Sequence, residues 1–383
     1  MADLSGRVLE YDERLWKAMS DEMGGKFEFA ASMGGKNWGA RKVWRLWEFP
    51  GLRRWKRSAG IAKRLCKAVE GLVNYVWIWW RLGRRNYDVV HLQWLPFSEF
   101  CGLEKAIIPC LQRRAKGAKW VLTQHNIYPH SCRNREAYRK RLRGIAPRFD
   151  AVVLHNESAK RDFCREFGMP EEKCRSIPFG CYWDMPPSRT SREKTGKYRI
   201  LHFGGLASYK GSDLLVEAFA HLGRKCWDCA ELRLAGKASP EFSRKLRSLA
   251  GDVPIEFRFG FLPQEELKAE LEAADLVVLP YREIGQSAVL LLSFLFDVDL
   301  LASNLGAFLD TMTGAPSDCF FETGNVESLA SHLRAKIARG RGNWLKDQLV
   351  KWRKVYRWDT MARKTVALYH EILTTGQQRP NKQ

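Results

Sequence analysis

Short apolar runs recur along this 383-residue chain, separated by longer stretches with helical spacing. That alternation is what a parallel sheet with helices on both faces requires, because each strand is buried on two sides and each crossover is a helix. In the first half, 27–30, 88–92, 120–123 and 151–154 read as strands, with 8–11 as the first of the series. In the second half, 199–203, 231–234, 255–258, 276–279 and 300–302 read likewise. Two series on a chain too long for one core predict two domains. A polar stretch broken by Pro186 and Pro187 separates them. The expected boundaries are an N-terminal domain over 1–180, a linker over 181–197, a second domain over 198–357 and an amphipathic helix over 358–375. Ser212 or Asp213, after Gly211, is placed to cap a helix with Leu214, Leu215, Ala218, Phe219 and Leu222 on one face, and Asn325 stands likewise ahead of Leu329 and Leu333.

The formal charge of +21 implies an anionic partner. It is concentrated. Residues 36–85 hold 14 Lys and Arg against only Glu48 and Glu70, together with 7 of the 15 tryptophans. Indole rings favour the headgroup level of a bilayer and basic side chains favour anionic lipid, so this stretch predicts docking on an anionic membrane surface. A helix pair burying its tryptophans in the domain core is the competing reading. Stacking on nucleic acid is a third, but no recognised nucleic-acid-binding signature accompanies the charge, and no nucleic-acid partner is expected. The longest apolar stretch, 71–80, falls short of the roughly 20 residues of a spanning helix. The N-terminus shows no basic segment followed by an apolar one, so a cytoplasmic protein on the inner face of the cell membrane is expected. Ten cysteines form one CxxC pair, Cys226 and Cys229, without a second pair to complete a zinc site. His125 and His130, five apart across a proline, match no common metal-ligand spacing.

Two segments carry chemistry. Residues 201–211 are a strand, a turn through Gly204 and Gly205, and a helix start bearing Lys210. Such an arrangement brings an ammonium and backbone amides to an anion, although a plain strand-to-helix turn with a surface lysine has the same local pattern. The strand at 276–279 leads through Pro280 and Glu283 to Gln286, Ser287, Ala288 and Val289 at another helix start. Free amides there suit a diphosphate, and Glu283 is able to accept hydrogen bonds from sugar hydroxyls. Two anion cradles in one domain point to a nucleotide diphosphate. Lys237, after Gly236 at a strand end, either approaches that diphosphate or is solvated.

Over nearly its whole length the sequence resembles the retaining glycosyltransferases of GT-B fold, family-4 type. The resemblance is carried by Gly204 to Gly211 with the Leu214-Leu215-Val216-Glu217-Ala218-Phe219 segment, by Pro280 to Phe294, and by Ala302-Ser303-Asn304-Leu305-Gly306. In the first half it is carried by Asp88 to Trp94, Thr123 to His130 and Ile177-Pro178-Phe179-Gly180. It implies two facing Rossmann-like domains, α/β with parallel sheets, and a C-terminal helix packing back on the N-terminal domain. By the same resemblance the second domain holds a nucleotide-sugar donor. Gly204, Gly205, Lys210, Lys237, Gln286, Ser287, Ala288 and Val289 lie at its diphosphate, Glu283 at its sugar, and Gly260, Phe261 and Leu262 beside its base. His125 acts over the donor sugar, while His91, Trp94, Asn126 and His130 face the acceptor, a glycan or lipid-linked glycan, although His91, at a strand end, reads equally as a packed polar residue. No metal or cofactor is required, because fixed charge and oriented amides stabilise a leaving diphosphate. The likeness is incomplete at three places. Gly205 stands where the class often has arginine, Leu291 or Leu292 where it has a second glutamate, and Phe179 where it has histidine. A non-transferring protein of this fold, an epimerase or a silent partner subunit, is the alternative from another class.

Overall fold

The computed structural model describes residues 1–3, 9–31, 43–47, 60–129, 132, 134–181 and 196–375. Residue 8, His130, most of the expected linker and most of the basic stretch ahead of residue 60 lie outside these. The chain divides into two compact units, Met1–Gly180 with Arg357–Gln383, and Cys181–Tyr356.

The first unit runs β1 (Ala2–Asp3), α1 (Leu9–Met23), β2 (Phe29–Ala31), β3 (Val43–Arg45), α2 (Gly60–Leu82), β4 (Val89–Leu92), α3 (Glu104–Arg114), β5 (Lys119–Thr123), α4 (Arg135–Ile145), β6 (Ala151–Leu154), α5 (Glu157–Phe167) and β7 (Cys174–Ser176). All its strand pairs are parallel, in the order β3-β2-β1-β4-β5-β6-β7. The first strand is therefore Ala2–Asp3, and the expectation of a strand at 8–11 is corrected: residues 9–11 open α1. Tyr11, Leu15 and Met19 explain why, since they recur every four residues and are all buried. The short β3 and β7 have no run long enough to announce them, and pairing with β2 and β6 makes them strands.

The second unit runs β8 (Tyr198–Phe203), α6 (Ser212–Ala220), α7 (Arg224–Trp227), β9 (Ala230–Gly236), α8 (Pro240–Ala250), β10 (Ile255–Phe259), α9 (Gln264–Ala273), β11 (Leu276–Leu279), α10 (Ala288–Ser293), β12 (Asp299–Ser303), α11 (Gly306–Thr311), β13 (Phe320–Phe321), α12 (Val326–Arg339) and α13 (Lys346–Val355). Its sheet is again wholly parallel, in the order β10-β9-β8-β11-β12-β13. Central β8 and β11 are almost continuously buried, and Leu215 and Phe219 of α6 share a core with Leu246, Leu329 and Leu333. Asn325 caps α12, its side chain accepting from the Ser328 amide. The cap expected of Ser212 or Asp213 is corrected: Gly211 is the N-cap of α6, with φ +66°, and both polar residues sit inside the helix making tertiary bonds.

The last helix, α14 (Trp358–Thr375), belongs to the first unit and packs on α1. A Cβ on Gly180 would lie 2.5 Å from the Trp358 ring, and Trp358 meets Tyr11 edge to face. The chain's ten cysteines are free thiols, and among the described residues no helix is long and apolar enough to cross a membrane.

Candidate functional site

In each sheet the direction of winding reverses beside the first strand. In the second unit this is between β8 and β11, and the crevice outside the carboxyl ends of two such strands is where open α/β sheets bind ligands. The donor-side residues singled out above all follow strands at that end. Lys210 follows β8, Lys237 follows β9, Gly260, Phe261 and Leu262 follow β10, and Glu283 to Val289 follow β11.

Backbone approach holds the crevice tight. A Cβ on Gly211 would stand 1.7 Å from the Pro280 carbonyl oxygen, and one on Gly236, where φ is +147°, would stand 1.7 Å from that of Gly204. Only glycine permits those contacts. Buried His202 ties the same elements together, Nδ1 to the Val278 carbonyl at 3.0 Å and Nε2 to the Ser212 hydroxyl at 2.9 Å, and burial lowers its pKa to about 4. Arg282 holds the turn from the other side: its amide donates to the Tyr209 carbonyl at 2.8 Å and its guanidinium to Asp213 at 2.7 Å.

Into this frame Lys210 projects. Its Nζ lies 3.6 Å, and the Val289 Cγ2 3.0 Å, from where a Cβ on Gly204 would be, so the lysine and the first turn of α10 share one space. The ammonium stands 5.3 Å from the centre of the Tyr281 ring. Among the described residues no carboxylate pairs with it, and burial pulls its pKa from 10.5 down to about 8. Ser287 caps α10 with its hydroxyl on the Leu290 amide at 3.2 Å, leaving the Ala288 and Val289 amides ahead of the first intrahelical bond. Beside them Gln286 Oε1 is buried without a hydrogen-bond partner among the described residues. Glu283 is exposed, and its charge adds to the burial that raises the Tyr209 hydroxyl pKa. Lys237 is exposed, while its carbonyl accepts from the Leu206 amide at 2.9 Å. Gly260 takes φ +134°, its amide bonded to the Gly236 carbonyl, and presents Phe261 with 89% of its surface exposed. Gly205 is exposed with open space about it, so no crowding explains the missing arginine. Leu291 and Leu292 are core residues.

In the first unit the reversal is between β1 and β4, and a histidine cluster lies at the strand ends beside it. His125 Nδ1 is 3.2 Å from His155 Nε2, whose other nitrogen bonds the Ile177 carbonyl. Tyr11 meets the His125 ring edge to face and Trp94 stacks on it. Burial first, and His155 second, depress the His125 pKa well below the ordinary value, so the ring is neutral at physiological pH. Asn126 is half-buried, its carbonyl accepting from Gln124. His91 is used differently from the acceptor-facing expectation: Nδ1 bonds Tyr369 Oη at 2.6 Å and Nε2 bonds Thr123 Oγ1 at 2.8 Å. With both nitrogens engaged and the ring buried, it ties β4 and β5 to α14. Phe179 packs edge to face on His155. Asp12 is fully buried next to Asp3, and desolvation with the like charge raises its pKa well above the ordinary value. His155, Asp12, His202 and Gly236 were not singled out from sequence. Only Gly236, closing an apolar run just before Lys237, carried a local signal.

A family model described as glycosyl transferases group 1 matches residues 197–338, and one described as glycosyltransferase family 4 matches residues 39–181. The GDP-mannose:glycolipid 4-beta-D-mannosyltransferase of Xanthomonas campestris pv. campestris is 25% identical over 234 residues, which cover 54% of this chain and 59% of that protein's length. Among solved structures, a glycosyltransferase from Rickettsia africae ESF-5 superposes with a TM-score of 0.71 at 17% identity, over 97% of this chain and 98% of that one. HepE of Anabaena, in complex with UDP, does so with a TM-score of 0.68 at 13% identity, over the same shares. At those identities the structural likeness shows the fold, and the two consecutive family models add the kinship. The chain belongs to the glycosyltransferases of GT-B fold, family-4 type.

Proposed function

We propose that this protein transfers a hexosyl group from a nucleotide-diphosphate sugar to a glycan or lipid-linked acceptor, in polysaccharide or glycoconjugate biosynthesis. The observation that carries the reading is Lys210. A half-buried ammonium with no carboxylate partner among the described residues, facing the first turn of a helix at a switch point, is costly to keep charged unless an anion visits it. A diphosphate is such an anion, and its UDP form accompanies HepE.

In this reading Lys210 and the Ala288 and Val289 amides gather the charge that develops on the diphosphate as the sugar–oxygen bond breaks, and no metal is needed for that step. Gly204 and Gly205 let the phosphates approach the backbone, with Lys237 at the rim and the Ser287 hydroxyl holding α10 in register. The carbonyl oxygen of Gln286 accepts a donor hydroxyl, Glu283 orients the donor sugar, and Gly260, Phe261 and Leu262 border the base. Neutral His125 exchanges hydrogen bonds with a sugar hydroxyl and supplies no charge, while Trp94 and Asn126 face the acceptor. We read the course as retention, the acceptor attacking on the face the diphosphate leaves while a phosphate oxygen takes its proton. The Xanthomonas relative is named for a β-linkage to a glycolipid, so the anomeric configuration of the product, read by NMR, is the direct check; an inverted product refutes retention. We place the reaction on the cytoplasmic face of the cell membrane, supported by the basic, tryptophan-rich stretch.

The test begins with a thermal-shift screen of nucleoside diphosphates and their sugars, since a ligand of the native state raises its apparent stability. Transfer of labelled sugar from the stabilising donor is then expected to be lost in Lys210→Ala and Glu283→Ala. Unchanged turnover in both variants overturns the assignment.

A further inference from the structure

The 23-residue helix α2 exposes a continuous apolar stripe. From residue 65 to residue 80 its exposed positions are Leu65, Val69, Leu72, Val73, Val76, Trp79 and Trp80, with Lys67 alone among them charged. Spacings of three and four residues put these side chains on one face, about 23 Å long at 1.5 Å per residue. Val76 is 66% exposed and Leu65 62%. A soluble helix normally turns such a face inward.

The stripe cannot roll inward, because the opposite face is fastened. Asn74 bonds both the amide and the carbonyl of Trp47, at 2.8 and 3.0 Å. The Tyr75 hydroxyl donates to buried Glu104, which also accepts from the Phe97 amide. Gly71 sits so close to the Phe97 ring that a Cβ would meet it at 2.9 Å, and Ile78 and Leu82 are buried. The outward direction of the apolar residues is therefore set by polar anchors on the other side.

We infer that α2 is a membrane-docking surface whose apolar stripe lies in the interface of an anionic lipid leaflet, flanked by basic residues that meet the headgroups. The charge pattern selects that occupant. Beyond the tryptophans at the C-terminal end, Arg84 lies 4.1 Å over the Trp80 ring and Arg114 4.7 Å over the Trp79 ring, and Arg85 is exposed. Two copies packed stripe to stripe about a two-fold axis would bring basic rims together, whereas an anionic leaflet neutralises them and accepts the indoles at headgroup depth. The surface belongs to the first unit and the donor crevice to the second. Its consequence, that the acceptor is presented from the membrane, rests on the transfer proposed above.

Flotation with vesicles separates the possibilities. Full-length protein is expected to float with vesicles of equal phosphatidylglycerol and phosphatidylcholine and to stay behind with phosphatidylcholine alone. Val76→Glu combined with Leu72→Glu, both at exposed positions of the stripe, is expected to lower the bound fraction at least about tenfold. The same variant retains the nucleotide-induced thermal shift, which shows that it is folded and reads the donor site separately. Absence of flotation, equal flotation of wild type and variant, or a wild-type dimer in light scattering that the variant dissolves would each overturn the membrane assignment. Flotation with no nucleotide response in the wild type would instead sink the transferase reading and leave this one standing.

Discussion

Replacing Lys210 with methionine separates the electrostatic argument from the fold. The native lysine is held at a pKa of about 8 against 10.5 in the unfolded chain, so below pH 8 the folded state bears the whole cost of a desolvated charge. That cost is about 3 kcal/mol, and it disappears as pH rises from 8 to 10.5, because there the folded state has released the proton that the unfolded chain keeps. Lys210→Met fills similar space without the charge. At pH 7 it should therefore raise the melting temperature of the unit carrying Lys210, by up to roughly 6–12 °C for a domain of this size, with the gain vanishing near pH 10.5. The same change removes one charge-assisted bond to the diphosphate and should weaken nucleoside diphosphate binding about 10- to 150-fold. Binding an anion restores the lysine's affinity for its proton, so wild-type affinity should fall by up to about tenfold per pH unit above 8. Calorimetry in buffers of different ionisation enthalpy should report proton uptake in that range, absent in the variant. A methionine variant that is no more stable at pH 7, and that binds UDP or GDP as the wild type does, refutes the reasoning.

Glu283→Gln should reduce sugar transfer strongly while leaving nucleoside diphosphate affinity within about threefold, since the residue is assigned to the sugar and not to the phosphates; equal losses in both assays would contradict that. Gly236→Ala should destabilise its unit by more than about 2 kcal/mol, because φ is +147° and the new methyl group meets a carbonyl oxygen, whereas Gly205→Ala, with open space around it, should stay within about 0.5 kcal/mol in denaturant melts. Asp12→Asn should stabilise the protein at pH 7. The folded state keeps a proton on Asp12 that the unfolded chain releases above about pH 4, so wild-type stability falls as pH rises from there, and the variant's advantage should fade as pH is lowered to 4. An advantage that grows on acidification would mean that Asp12 is ionised and paired.

Much of the architecture is legible in the chain. Runs such as 276–279 and 199–203 are strands because a central parallel strand is buried on both faces, a demand that four consecutive apolar residues meet at 276–279 and that Ile200, Leu201 and Phe203 meet around His202 at 199–203. Gly204, Gly211 and Lys210 were visible for a similar reason, since a strand, a glycine turn and a helix start are contiguous. Asn325 capped its helix as its local sequence indicated.

What sequence did not show is set by partners distant along the chain. Two residues become the first strand only because β2 and β4 flank them, while 9–11, equally apolar, join a helix whose buried face repeats every four residues. Ser212 has the chemistry of a cap, but His202 takes its hydroxyl, and His91 is bound at both nitrogens by residues 32 and 278 positions away. The 71–80 stretch shows its apolarity at once, yet which side faces solvent was decided by Asn74, Tyr75 and Gly71 meeting Trp47, Glu104 and Phe97. Periodicity and local turn chemistry are properties of neighbours in sequence. Which polar group is spent inside the molecule, and which apolar face is left outside, depends on contacts that exist only once the strands have paired.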